Sequence, residues 1–252
     1  MNLLAIAGAL LIGLSLGLLG SGGSILTVPV LVYVLGQDEK LAIAGSLGIV
    51  AAISSLGAIP YARRREVSWR SLLLFGLPGI AGTWSGAFLS RYVSGSFQLL
   101  LFACVMLIAA WFMLRPERQL VATPAPRRPH WIALDGLVVG LITGLVGVGG
   151  GFLIVPALVL LGGLPMRIAV GTSLLLIALK SAAGFVQYLA QLAAAGRSID
   201  WQVFAVFTAV GALGSLLGER LGGRLPQALL RRLFGALLVA VAAFMLWRQL
   251  AG

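Results

Sequence analysis

The chain has 252 residues, of which 60% are hydrophobic and 10% charged, with a mean hydropathy of +1.06 and a net charge of +11. So little polar surface cannot cover a water-soluble globule, which excludes a soluble enzyme or binding module and defines an integral membrane protein. The positive charge is therefore read as membrane orientation and contact with anionic lipid head groups, and no nucleic-acid partner is expected.

The amino terminus, "MNLLAIAGALLIGL", carries no basic residue before its apolar run and continues into a segment that recurs later, so it reads as part of the fold and not as a signal peptide. Residues 3–36 are too long for one span of about 20 residues. "GSGGS" at 20–24 cuts them into two arms, as a hairpin of short or re-entrant helices requires. Full transmembrane helices are expected over 41–61, 71–90 and 95–114. Cys104, the single cysteine, lies in the last of these and is expected to pack; no intrachain disulfide or cysteine metal site is possible. "RPERQLVATPAPRRPH" at 115–130 is a solvent-exposed linker by its prolines and arginines. The segment 132–163 is again too long for one span and is cut by "GVGGG" at 147–151. Full helices follow over 166–189, 199–218 and 227–247.

Residues 13–61 lie on 140–188 without a gap at roughly twenty identities in about fifty positions, which marks an internal repeat. The identities include Gly20/Gly147, Pro29/Pro156, Ser46/Ser173, Ser54/Ser181 and Tyr61/Tyr188. After a five-residue insertion Trp69 pairs with Trp201 and Gly79, Gly82 and Gly86 with Gly211, Gly214 and Gly218. The expected architecture is an all-α integral membrane protein of two inverted repeats, 1–114 and 131–252, joined by the linker 115–130. Each repeat holds a broken hairpin and three full helices, about ten helical segments in all.

Inversion follows from the basic residues. With hairpins, one face holds thirteen arginines, including Arg63 to Arg65, Arg167 and Arg220, and the other only Lys40, Arg91, Arg197 and Arg248. Singly crossing kinked helices would even the split to ten against seven. Positive loops stay cytoplasmic, so the linker is expected inside and both termini outside.

Unwound backbone in hydrocarbon costs several kcal/mol per unsatisfied group, so the glycine breaks belong in the protein interior or against a ligand. Each precedes a helix start, near Ser24 and Gly151, and two converging helix amino termini favour an anion. Ser21, Ser24 and the amides of Gly22, Gly23, Gly149, Gly150 and Gly151 are the candidate donors. The alternative is that these glycines only pack helices closely. On the helix after the second hairpin, Ser173, Lys180 and Gln187 share one face, with Thr172 beside it. Lys180 is the only charge deep in an expected span, either a counter-charge for an anion, a protonation switch, or a structural lysine. Ser46 is the first-half counterpart of Ser173, and either hydroxyl would serve a ligand or its own helix backbone. The acidic residues, Glu219 among them, sit near span ends or in loops, so no buried acidic relay is expected. Trp84, inside a span, reads as packing.

Two glycine-rich breaks followed by "VP", each trailed by an "A-G-S" or "G-T-S" helix (Ala44 to Ser46; Gly171 to Ser173), resemble the sulfite exporter TauE/SafE family over nearly the full length. The resemblance implies a secondary transporter of the bacterial cytoplasmic (inner) membrane that moves small sulfur-containing anions such as sulfite or organosulfonates. A channel through the same path is the main alternative, and an intramembrane enzyme a lesser one. Against the enzyme, His130 lies in the linker, and Ser181 and Lys180 point about 100° apart on their helix. No cofactor, metal-ligand cluster or nucleotide loop is expected, so gradients would supply the energy. The lipid-facing surface leaves oligomeric state unread.

Overall fold

The computed structural model describes residues 3–114, 129–147, 151–222 and 225–251. Among these the chain is helical, with α1 (Leu3–Leu19), α2 (Gly22–Pro29), α3 (Glu39–Arg63), α4 (Trp69–Leu89), α5 (Gly95–Leu114), α6 (Pro129–Val146), α7 (Gly151–Pro156), α8 (Met166–Ala194), α9 (Trp201–Gly222) and α10 (Gln227–Ala251). Seven of the described helices are long and apolar enough to cross a membrane, which makes this a multi-pass membrane protein.

α1 and α2 pack on one another as the first expected hairpin requires; of the second, α6 and α7 are described and positions 148–150 between them lie outside the described residues. α1 ends where Gly20 takes φ +73°, and α6 ends where Gly147 takes φ +75°, a left-handed conformation that favours glycine at a helix end. Pro29 and Pro156 then interrupt the next arm. Proline offers no amide and its ring crowds the preceding turn, and in both halves the helix widens into a π segment directly after it, Val30–Val34 and Ala157–Leu161. Gly36 and Gly163 close the hairpins at φ +65° and +64°.

The buried centre is the pair α3 and α8. They run antiparallel: a Cβ on Gly48 would meet Phe185 at 2.8 Å, and one on Gly171 would meet Tyr61 at 2.8 Å. Around them α6 lies against α4, and α1 against α9. Both flanking pairs run parallel and touch through glycine. Gly136, Gly140 and Gly144 face the backbone of Phe75, Gly79 and Thr83; Gly13 and Gly17 face that of Gly211 and Ser215. Without a side chain at these positions the backbones approach closely, the usual means of helix association in lipid. The contacts thus exchange under a shift by one repeat: what α6 does to α4, α1 does to α9. α5 packs on α10 at the periphery.

Some expectations need correction. α6 begins at Pro129, so it takes in the last two positions assigned to the linker; positions 115–128 lie outside the described residues. Cys104 and Trp84 do not pack inward but are exposed on the outer surface of their helices. In a membrane chain lipid and protein interior are equally apolar, so hydropathy does not separate these two fates.

Candidate functional site

Each break leaves the last carbonyls of its first arm without intrahelical partners. Hydroxyls from both halves take them up. Tyr61 Oη donates to Gly17 O at 3.3 Å and Ser173 Oγ to Gly20 O at 2.9 Å. In the second half Tyr188 Oη donates to Gly144 O at 3.3 Å and Ser46 Oγ to Gly147 O at 3.3 Å. Each hairpin is therefore held by a tyrosine of its own half and a serine of the other.

Beyond the left-handed glycine the backbone turns into α2. Gly22 is its first residue, and Gly23 lies so close to α1 that a Cβ would run into the Ile12 carbonyl. Ser24 turns back, its Oγ donating to Ser21 O at 2.7 Å. Ser21 is fully buried and its Oγ finds no partner among the described residues. The two breaks meet here: a Cβ on Gly151, the first residue of α7, would lie 2.9 Å from Ser21 Cβ and 3.0 Å from Ile177 Cγ1. Gly149 and Gly150 lie outside the described residues.

The remaining candidates divide. Ser46 and Ser173 reach the breaks, but their hydroxyls also donate to Ile43 O and Val170 O, one turn back on their own helices. Thr172 is directed elsewhere: its Oγ1 accepts the amide of Ser68 at 2.9 Å, pinning α8 to the loop before α4. Gln187 is half-buried beside Tyr188, and no hydrogen bond joins it to the breaks among the described residues. Lys180 is fully buried, with Nζ unpartnered among the described residues and 5.5 Å from the Phe75 ring centroid. A Cβ on Gly79 would touch its stem at 3.3 Å. The ammonium thus sits where α4, α6 and α8 meet, three residues along α8 from Ile177.

Two cavities open at opposite ends of α8. One, of about 150 Å³, is lined by Tyr61, Arg167, Val170 and Glu219. The other, of about 210 Å³, is lined by Tyr188, Lys40, Arg91, Gln191 and Arg197. Tyr61 and Tyr188 are repeat equivalents, as are Arg167 and Lys40. Around the first cavity the charges are paired, Arg64 with Glu219 and Arg167 with Glu66 at 2.7 Å. The second is cationic: Lys40 donates to Ser90 O at 2.7 Å, and Arg197 pairs with Asp38 at 3.0 Å, which holds the Asp38 carboxyl below the usual carboxylate range.

Several participants were not singled out in the sequence. Glu219 lies near the end of α9, as expected, yet is 5% exposed. Gln98 is fully buried; its Nε2 donates to Leu145 O and, at 2.8 Å, to Tyr188 Oη. Tyr61 and Tyr188 were visible only as a repeat identity. That identity was the signal, since a polar ring kept at the same place in both halves of an apolar chain has a shared partner to satisfy.

Among the described residues the chain is helical and multi-pass, and Ser21 and Gly151 bring its two interrupted segments together, an arrangement that suits a membrane transporter. The family model of the sulfite exporter TauE/SafE family matches residues 5–245, and the chain belongs to that family. It is 34% identical over 252 residues to a probable membrane transporter protein of Xylella fastidiosa (strain 9a5c), covering 96% of this chain and 93% of that one. It is 35% identical over 254 residues to a counterpart in strain Temecula1, with the same coverage. It is also 28% identical over 241 residues to the probable membrane transporter protein YunE of Bacillus subtilis, covering 86% and 84%. No solved structure matches the chain.

Proposed function

We propose that this protein is a secondary transporter of small sulfur-containing anions, of the sulfite or organosulfonate class, across the cytoplasmic membrane, and that it performs no chemistry on them. Two halves of opposite orientation rock about an anion held at the glycine breaks, with the linker cytoplasmic and both termini outside. The observation that carries this reading is the meeting of Ser21 with Gly151 between two cavities at opposite ends of α8. Antiparallel α3 and α8, and flanking contacts that exchange between halves, support inversion of the repeats.

The binding groups in this reading are Ser21, Ser24 and the amides of Gly22, Gly23, Gly149, Gly150 and Gly151. Ser46 and Ser173 hold the breaks in place until a ligand competes for their hydroxyls. Lys180 supplies counter-charge from the second half alone, since its repeat equivalent is Ile53. An unpaired ammonium in a dry site costs several kcal/mol, so an approaching anion gains from its presence. The test is uptake of ³⁵S-sulfite into proteoliposomes, with counterflow to distinguish a carrier from a channel. Wild type is expected to show saturable uptake and counterflow, Gly151→Leu no flux because the side chain fills the meeting point, and Lys180→Met uptake reduced at least tenfold. Flux without counterflow would assign a channel, and silence towards sulfite and a panel of sulfonates would refute the substrate class.

A further inference from the structure

Most buried helix hydroxyls in this protein have a partner close by. Ser15, Thr27, Ser46, Thr83, Ser90, Thr143 and Ser173 all donate to a carbonyl three or four residues back. This is the ordinary way for a hydroxyl to be satisfied inside an apolar helix bundle. Ser54 and Ser181 break the pattern, as does Ser215 on the flanking helix α9. Ser54 and Ser181 are both fully buried, both are unpartnered among the described residues, and they are repeat equivalents on the two central helices.

Their placement is specific. On α3 the positions 46, 50, 54, 57 and 61 recur at helical spacing and form one stripe. One end of the stripe, Ser46, bonds the second break at Gly147 O, and the other, Tyr61, bonds the first hairpin at Gly17 O. On α8 the matching stripe runs from Ser173 on Gly20 O, through Ile177 beside Gly151, to Tyr188 on Gly144 O. Ser54 and Ser181 are the middle polar positions of two stripes whose ends grip the hairpins. One turn along α8 from Ser181, Ile177 marks the level at which Ser21, another unpartnered buried hydroxyl, meets Gly151.

We infer that Ser54 and Ser181, together with Ser21, are the oxygen-binding residues of an oxyanion site on the axis between the two halves. The inference rests on the transport reading above and deepens it by naming the groups that touch the anion's oxygens. Three hydroxyl donors from α3, α8 and the first break suit a compact tetrahedral or pyramidal oxyanion, which presents several acceptor oxygens at once. Alanine or glycine would let α3 and α8 pack as closely without burying a hydroxyl, so close packing does not account for serine at both positions.

The test separates binding from structure. Purified wild type, Ser54→Ala and Ser181→Ala are melted in detergent with increasing sulfite, sulfate or methanesulfonate, and the anion concentration giving half-maximal stabilisation is read. Hydrogen bonds to a charged group are worth about 1.5–3 kcal/mol, so each variant should need at least about tenfold more anion. Without anion both variants should melt at or above the wild-type temperature, because the deleted hydroxyl has no protein partner. Stabilisation by anion unchanged within twofold in both variants would overturn the assignment and leave the transporter reading standing. A marked fall in melting temperature without anion would also overturn it, by making the hydroxyls structural. Failure of every anion to stabilise wild type, together with absence of flux, would overturn the site and the transport reading together.

Discussion

At the scale of single residues, the breaks depend on glycine for two separable reasons. Gly20 needs a left-handed backbone and also has no room, since a Cβ there would lie 2.9 Å from Ser173 Oγ and from Val170 Cγ1. Gly36 needs the same backbone, φ +65°, with nothing within 4 Å of its would-be Cβ. Gly36→Ala should therefore cost only the left-handed penalty of about 1–2 kcal/mol, while Gly20→Ala should lose about 1–3 kcal/mol more from overpacking. Thermal unfolding of the two variants in detergent checks the order; equal losses would mean that Ser173 and Val170 yield freely. Lys180 differs in kind: Lys180→Met should hold or raise the melting temperature, since it removes a buried unpartnered charge, even as uptake falls.

At the scale of elements, helix ends and glycine seams set the arrangement. Asp38 caps α3, accepting from the amides of Lys40 at 3.0 Å and Leu41 at 3.4 Å. Asp38→Ala should cost about 1 kcal/mol, and Asp38→Asn, which keeps the cap, much less. The ion pair to Arg197 is exposed and worth about 0–1 kcal/mol. Because the folded state holds the carboxyl low, this share is complete above the ordinary carboxylate value of about 4 and is lost as the pH falls through the folded value. A melting curve in Asp38→Asn should accordingly be flatter between pH 6 and acid than in wild type, on the order of the few tenths of a kcal/mol that such pairs supply. The seams are equivalent in the two halves: Gly86 abuts the Leu141 carbonyl, and Gly218 the Leu14 carbonyl. Gly86→Ala and Gly218→Ala should each cost about 1–3 kcal/mol and should match one another; a large difference in melting temperature would show that the two seams are not interchangeable.

At the scale of the whole molecule, the long spans were legible because a run such as 95–114 needs only length and hydropathy to declare itself, and α5 occupies those residues. The breaks were legible because glycine clusters and a following proline have few other uses in lipid. What stayed hidden is which helix each face meets. Helical spacing put Thr172 near Ser173, yet one step around α8 turns it to the Ser68 amide instead of the breaks. Glu219 reads as an interfacial acid until α3 brings Arg64 against it from 155 positions away. Ser54 and Ser181 were visible as identities, but their burial without a partner among the described residues appears only once the helices pack. The orientation of the halves is best tested with single cysteines in a Cys104→Ser background at two exposed repeat equivalents, Arg70 in the first turn of α4 and Gln202 in the first turn of α9. A membrane-impermeant thiol reagent applied to sealed vesicles should label Arg70→Cys only from inside and Gln202→Cys only from outside. Labelling of both from the same face would contradict two inverted halves sharing one central site.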